Sequence, residues 1–231
     1  MIICIETATS LCSVALCDSK GVISVKESAE GRSHASLLTV FIADILKEGG
    51  IKASDLEAVA VSKGPGSYTG LRIGVSAAKG IAYAASIPLV GVQTTFSMFN
   101  GFISSKSELH NTDLFCPMLD ARRMEVYYSV FDIMGNAVKE IRAEIIREDS
   151  FNDLAQTSRI IFFGDGSTKC TQIIKRRNII FEKDFRVSAS YMQKPAYDLI
   201  LNKRFENTAY FEPFYLKDFL TTKPVKNILE K

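Results

Sequence analysis

Lys63-Gly64-Pro65-Gly66-Ser67-Tyr68-Thr69-Gly70-Leu71-Arg72-Ile73-Gly74 is the stretch on which the reading of the fold turns. Just before it, Leu56-Glu57-Ala58-Val59-Ala60-Val61 predicts a short buried strand; just after it comes a helix crowded with small residues. Gly64, Gly66 and Gly70 can reach backbone conformations closed to other residues, while Pro65 fixes its own φ and restricts Gly64. Ser67 or Thr69 can cap a helix beginning near Gly70, leaving backbone amides to meet an anion or a carboxylate. The glycines lack the GxxxxGK[ST] spacing and no lysine follows Gly70, which excludes a phosphate loop of the nucleotide-hydrolase type. A tight structural turn and a direct contact with a ligand or partner both stay open.

In the helix that follows, Gly70, Gly74, Ala77, Ala78, Gly80, Ala82 and Ala85 leave a surface with few long side chains. Each glycine costs about 1 kcal/mol of helix propensity relative to alanine, so the small residues serve close approach rather than helix formation. They either pack on the protein's own sheet or receive a helix of another chain.

Working outward, residues 2–6, 13–17 and 22–27 read as strands of an antiparallel meander, with Asp18-Ser19-Lys20-Gly21 as a turn. From Ser33 the period changes: Leu37, Leu38, Phe41, Ile42, Ile45 and Leu46 recur at helical spacing until Gly49-Gly50. Strand 57–62 leads into helix 71–86, and strand 88–92 into helix 94–104. The order β-β-β-α-β-α-β-α implies a mixed sheet with helices on both faces. The polar stretch from Ser104 to Asn111 marks a lobe boundary. Beyond it Leu114–Leu119, Glu125–Phe131 and Ala137–Glu144 repeat the meander. A helix near 149–157, strand Ile160–Phe163, a helix near 167–176 and strand Ile179–Phe181 follow. Residues 189–204 read as a helix that Pro195 begins or kinks. The stretch Lys217–Lys231, broken by Pro224, reads as a solvated end.

With 231 residues, 47% of them apolar and 23% charged, the chain can bury a substantial core. A net charge of +2 gives no general drive toward nucleic acid, so such binding needs a local patch. Lys169, Lys175, Arg176 and Arg177 are the densest basic cluster, readable as a contact to an RNA backbone or as a solvated helix face. The five cysteines contain no CxxC pair, and Cys4 and Cys116 sit in apolar runs as core residues. With only His34 and His110 in the chain, a closed zinc site is not expected. The opening residues are already strand, and no apolar run approaches the length of a membrane span; the expectation is a soluble, cytoplasmic protein without a membrane partner.

Three segments in order, Ile2-Ile3-Cys4-Ile5-Glu6-Thr7-Ala8-Thr9, the glycine-loop stretch and Leu119-Asp120-Ala121-Arg122-Arg123-Met124-Glu125-Val126-Tyr127, resemble the bacterial TsaB (YeaZ) family. The resemblance implies an α/β fold of two ribonuclease-H-like lobes of the actin/Hsp70 (ASKHA) superfamily, with mixed sheets and flanking helices. Lobe I would comprise residues 1–106 plus a returning helix at about 189–204, and a smaller degenerate lobe II residues 107–188; residues 205–231 would form a C-terminal segment. It further implies a non-catalytic subunit of the complex that installs N6-threonylcarbamoyladenosine at position 37 of ANN-reading transfer RNAs. Its partners would be a TsaD-like catalytic subunit, a TsaE-like ATPase and, through the complex, tRNA, with a homodimer when alone. No intrinsic cofactor is expected; ATP and metal belong to the partner subunits.

Enzymes of that superfamily carry acidic residues in paired strand turns and a glycine turn around the nucleotide. The positions here are Glu6, Asp120, and Gly164 with Gly166, all weak nucleotide candidates because glycine is missing from the first two turns. A divergent ATPase or small-molecule kinase is therefore the alternative function, and no catalytic residue is assigned. A peptidase reading lacks an HExxH or nucleophile-base arrangement. His34 has Leu38 four residues on, where the catalytic relative has a second histidine, and reads as a helix-start or interface residue. The docking surface expected from the resemblance is His34, Leu37, Leu38 and Phe41 on one helix and Gly70, Arg72, Gly74, Ala77 and Ala78 on the other. Arg72, Arg122 and Arg123 can each pair internally, meet a partner or approach tRNA.

Overall fold

The computed structural model describes residues 1–29, 34–106, 108–156 and 158–216. Two five-stranded sheets organise it. The first runs β3 (Val22–Ser28), β2 (Cys12–Cys17), β1 (Ile2–Glu6), β4 (Ala58–Gly64), β5 (Leu89–Gln93). Strands β1, β2 and β3 are antiparallel, and β4 and β5 extend them in parallel, as the meander and its crossovers predict. The second repeats the order as β10 (Ile179–Glu182), β9 (Ile160–Phe163), β6 (Leu114–Asp120), β7 (Glu125–Phe131), β8 (Ala137–Ile145). Its antiparallel and parallel pairs fall in the same places.

Strands β1 and β2 are buried along their whole length because helices cover both faces of the first sheet. On one face α1 (His34–Glu48) and α2 (Tyr68–Ala85) lie side by side and bury Leu38, Ile45, Val75 and Ala78 against Ile3, Ile5, Val59 and Val61. On the other, a 3-10 turn over Ala189–Met192 and α4 (Gln193–Leu201) set Ala189, Met192 and Ala196 on Ile2, Cys4, Ala60 and Val90. Pro195 stands in the first turn of α4, where its missing N–H costs nothing. Helix α3 (Thr94–Ser104) joins the halves: Phe99 and Phe102 meet Phe115, Phe131 and Phe163 of the second sheet with ring centroids 4.3–6.0 Å apart. Aromatic pairs at such spacing add roughly 1 kcal/mol each beyond area burial.

Two expected helices of the second half do not form. Over 149–156 the chain makes successive tight turns, because Phe151 takes a positive φ of 68° and turns its ring into the core against Tyr128 and Phe162. Asp149, Ser150 and Asn152 favour such turns over helix. At 167–176 only a 3-10 helix, Thr168–Gln172, is present. There the hydroxyls of Ser167 and Thr171 donate to the carbonyls of Gly164 and Thr168, in competition with helical amides. All five cysteines are buried and free. Among the described residues no helix is long and apolar enough to cross a membrane. The expected solvated end from Lys217 lies outside the described residues.

Candidate functional site

A nucleotide turn at the end of strand β1 would need the Glu6 carboxylate open to a ligand. Instead Glu6 is fully buried. Its Oε1 accepts the Ala8 N–H at 2.6 Å, and its Oε2 has no hydrogen-bond partner. Burial pushes its pKa up from 4.5 to about 7, the Ala8 amide offsetting part of that rise. Ser62 lies close enough to favour the charged form as well, but its hydroxyl is 2.7 Å from that of Thr94 and the geometry leaves Oε2 bare.

The small residues of α2 seal this turn. Ser67, not Thr69, caps the helix, accepting from the Gly70 amide at 3.2 Å, and α2 begins at Tyr68. The Ser67 amide donates to the Ala8 carbonyl at 2.7 Å, and the Thr7 hydroxyl donates to the Gly70 carbonyl at 2.8 Å. A Cβ at Gly66 would stand 2.5 Å from the Ala8 oxygen, one at Gly70 would collide with the Thr7 carbonyl, and one at Gly74 with the Thr7 hydroxyl. Gly64, with a φ of +111° before the cis peptide to Pro65, sits under the backbone of Phe214. The glycine loop is thus a closing device between helix and strand turn.

This geometry corrects part of the expected docking surface. Gly70, Gly74, Ala78 and Leu38 are buried inside the chain, on Thr7 and the first sheet, and none can face another molecule. His34 opens α1 with its Nε2 2.7 Å from the Thr9 carbonyl and its ring beside Gly70, so it closes the same turn. Leu37, Phe41 and Ala77 are half-buried at the surface, and Arg72 is exposed. The small-residue track open to solvent lies on another face of α2: Ser76, Gly80 and Ala84 are exposed, and a Cβ on Gly80 would meet nothing within 4 Å. Val40, 50% exposed, adds to the α1 side. Period 3.6 applied to α2 separates these two small-residue tracks, a distinction that glycine and alanine counts cannot make.

The second strand turn is built differently. Asp120 is exposed, its Oδ1 2.5 Å from Lys169 Nζ, which also donates to the carbonyls of Arg123 at 2.9 Å and Glu125 at 2.5 Å. Arg122 and Arg123 both hold positive φ, 68° and 50°, a strained pair for residues with side chains. Lys169 therefore braces the turn and leaves the basic cluster. Arg176 likewise bonds Asn152, while Lys175 and Arg177 stay exposed, so the four do not form one open patch. Gly164 and Gly166 allow their loop to lie against Met118 and Leu119; a Cβ at Gly166 would stand 2.6 Å from the Leu119 carbonyl carbon. That close approach is what the two glycines permit.

Sequence reading also missed a surface element. Residues 205–216 run as a strap over the first sheet and α2. The Glu206 amide donates to Leu89, the Phe214 amide to Lys63, and Lys79 to the carbonyls of Ala209 and Phe211. Tyr215 packs against Tyr68 with ring centroids 4.8 Å apart and planes tilted by 35°, and the Arg72 guanidinium is 4.5 Å from the Tyr68 ring centre.

Over residues 23–217 the chain matches the family model described as TsaD: tRNA N6-adenosine threonylcarbamoyltransferase. It is 34% identical over 137 residues to the tRNA threonylcarbamoyladenosine biosynthesis protein TsaB of Escherichia coli, covering 59% of this chain and 57% of that protein's length. With the Haemophilus influenzae TsaB the identity is 27%, over 96% of this chain and 95% of the relative. The solved structure of YeaZ from Pseudomonas aeruginosa superposes with a TM-score of 0.81 at 20% identity, over 93% of this chain and 99% of that one. The mixed sheets, the shared strand order and these matches together place the chain in the TsaD family of tRNA N6-adenosine threonylcarbamoyltransferase proteins, among its TsaB (YeaZ) members.

Proposed function

We propose that this chain is the non-catalytic TsaB-type subunit of the machinery that makes N6-threonylcarbamoyladenosine at position 37 of ANN-reading tRNAs, and that it works by docking a TsaD-type catalytic subunit on α1 and α2. One observation carries the reading: α1 packs beside α2, and the pair leaves Val40 exposed and Leu37 and Phe41 half-buried on α1, with Ser76 and Gly80 exposed and Ala77 half-buried on α2. Large side chains from a partner helix fit over small residues, and small residues of the partner fit over the α1 side chains, which selects one register.

Each sheet with its helices or turns corresponds in this reading to a ribonuclease-H-like lobe of the actin/Hsp70 type. Lobe I is residues 1–106 with the helix returning near 189–204, lobe II is 107–188, and the segment from 205 begins as the strap. The sealed Glu6 and the braced Asp120 support a docking role over turnover of nucleotide by this chain. A TsaE-like ATPase, with ATP and metal held by the partners, completes a cytoplasmic assembly that presents tRNA to the catalytic subunit. Without partners the same face pairs two copies of this chain.

The test is a titration of the TsaD-type subunit with wild type, Gly80→Leu and Val40→Glu, alongside modification of tRNA with and without this chain. Both substitutions lie on exposed positions, so folding is retained and affinity falls tenfold or more. Undiminished binding by both, or equal modification without the chain, overturns the reading.

A further inference from the structure

A different face of α2 has a chemistry that helix docking does not use. Tyr68, Arg72, Lys79 and Tyr83 recur at helical spacing, a stripe of about 22 Å. The strap runs back along it, with Ala209 to Phe211 held at Lys79 and Tyr215 at Tyr68. Tyr83 and Tyr210 are each 83% exposed, so most of each ring is open to a ligand. Arg72 is held over the Tyr68 ring and bonded by Tyr215, its charge favoured by those neighbours, so it is ordered before any ligand arrives.

We propose that this ridge binds the unpaired loop of an RNA: Tyr83 and Tyr210 stack on bases, and Arg72 and Lys79 meet the phosphates. The inference rests on the reading of the chain as part of a tRNA-modifying assembly and assigns it a direct contact with that RNA. Open aromatic faces alternating with cations suit single strands, because every base offers a π-face and every linkage a charge. The neighbouring track of Ser76, Ala77 and Gly80, small and uncharged, has neither feature. The ridge also carries an opposing charge, Glu212, which acts on Arg72 and would stand near a bound phosphate.

The experiment titrates the full chain with a fluorescein-labelled anticodon stem-loop of an ANN-reading tRNA, and with a fully paired duplex of equal length, at two salt concentrations. Tyr83→Ala and Tyr210→Ala each weaken stem-loop binding about tenfold, as loss of one stacked base does, and leave duplex binding unchanged. Glu212→Gln tightens it severalfold, most at low salt. Stem-loop affinity unchanged in both tyrosine variants overturns the inference. So does loss of TsaD-type subunit binding in those variants with RNA affinity intact, which would make the ridge a protein interface. The docking reading is judged separately by Gly80→Leu, whose effect falls on the subunit titration and not on this one.

Discussion

The two strand turns that occupy equivalent places in the two sheets, residues 6–12 and 120–125, hold their acids in opposite ways. Glu6 is enclosed, with one oxygen unpaired and its proton retained to about pH 7; Asp120 is open to solvent and engaged by Lys169 at 2.5 Å. In the first turn α2 packs directly on the backbone through glycines; in the second a lysine reaches in where no α-helix forms. Neither arrangement leaves a free carboxylate pointing at a shared ligand. The difference teaches that the first half has traded access to its turn for a rigid platform under α1 and α2, and the second has traded it for a braced hairpin.

The largest effect should come from forcing the first turn open. Gly70→Ala places a methyl on the Thr7 carbonyl, an obstruction of backbone by backbone that no rotamer relieves. The cost is on the order of 4 kcal/mol, read as a lowered midpoint in urea unfolding. A variant of undiminished stability would show that the helix slides easily and that the platform is not rigid.

Next in size is the proton on Glu6. The folded chain holds it more tightly than the unfolded chain does, so stability is greatest below about pH 4.5, falls as pH rises to about 7, and then levels. Roughly 3 kcal/mol is at stake over that window. Glu6→Gln keeps the shape without the charge and should flatten this component of the profile, leaving the variant more stable than wild type at pH 8. Parallel profiles in urea titrations would mean the carboxyl finds water or a cation when ionised.

A smaller loss is expected from the second turn. Lys169→Met keeps most of the side-chain volume but removes three donated hydrogen bonds from a hairpin with two strained arginines. Lys169 is 20% exposed and Asp120 51%, so solvent replaces part of what is lost and the cost is about 1–2 kcal/mol. Amide exchange at Arg123 to Glu125 should accelerate while exchange in the first sheet is unchanged; acceleration in both would couple the two turns.

How much of this was legible in the sequence depends on the range of the interaction. Strands β1 to β10 and helices α1 to α3 follow from period and punctuation, since each is set by which of its own residues are apolar. The failures lie where a distant contact outranks local pattern. Phe151 leaves the helix suggested around it because its ring is worth more in the core, and Lys169 leaves the basic cluster because Asp120 and two carbonyls hold it from the far side of the sheet. The strap from 205 to 216 carried no periodic signal, being fixed by Lys79, Leu89 and Lys63 rather than by its own sequence. The small residues of α2 were visible, but which ones face inward depends on helix phase relative to Thr7.

That phase gives the smallest effect, and the one that sharpens the comparison within a single helix. Gly80 lies ten residues along α2 from Gly70, with open space where Gly70 meets the Thr7 carbonyl. Its only intrinsic consequence for the folded chain is the backbone entropy of a mid-helix glycine, so Gly80→Ala should raise stability by about 0.5–1 kcal/mol. The same substitution at two glycines of one helix thus changes sign. If alanine at Gly80 destabilises the isolated chain, the surface there is already covered, and a homodimer that weakens on dilution is what covers it. If it stabilises, the track is bare in the monomer and its glycine is retained for what must approach it.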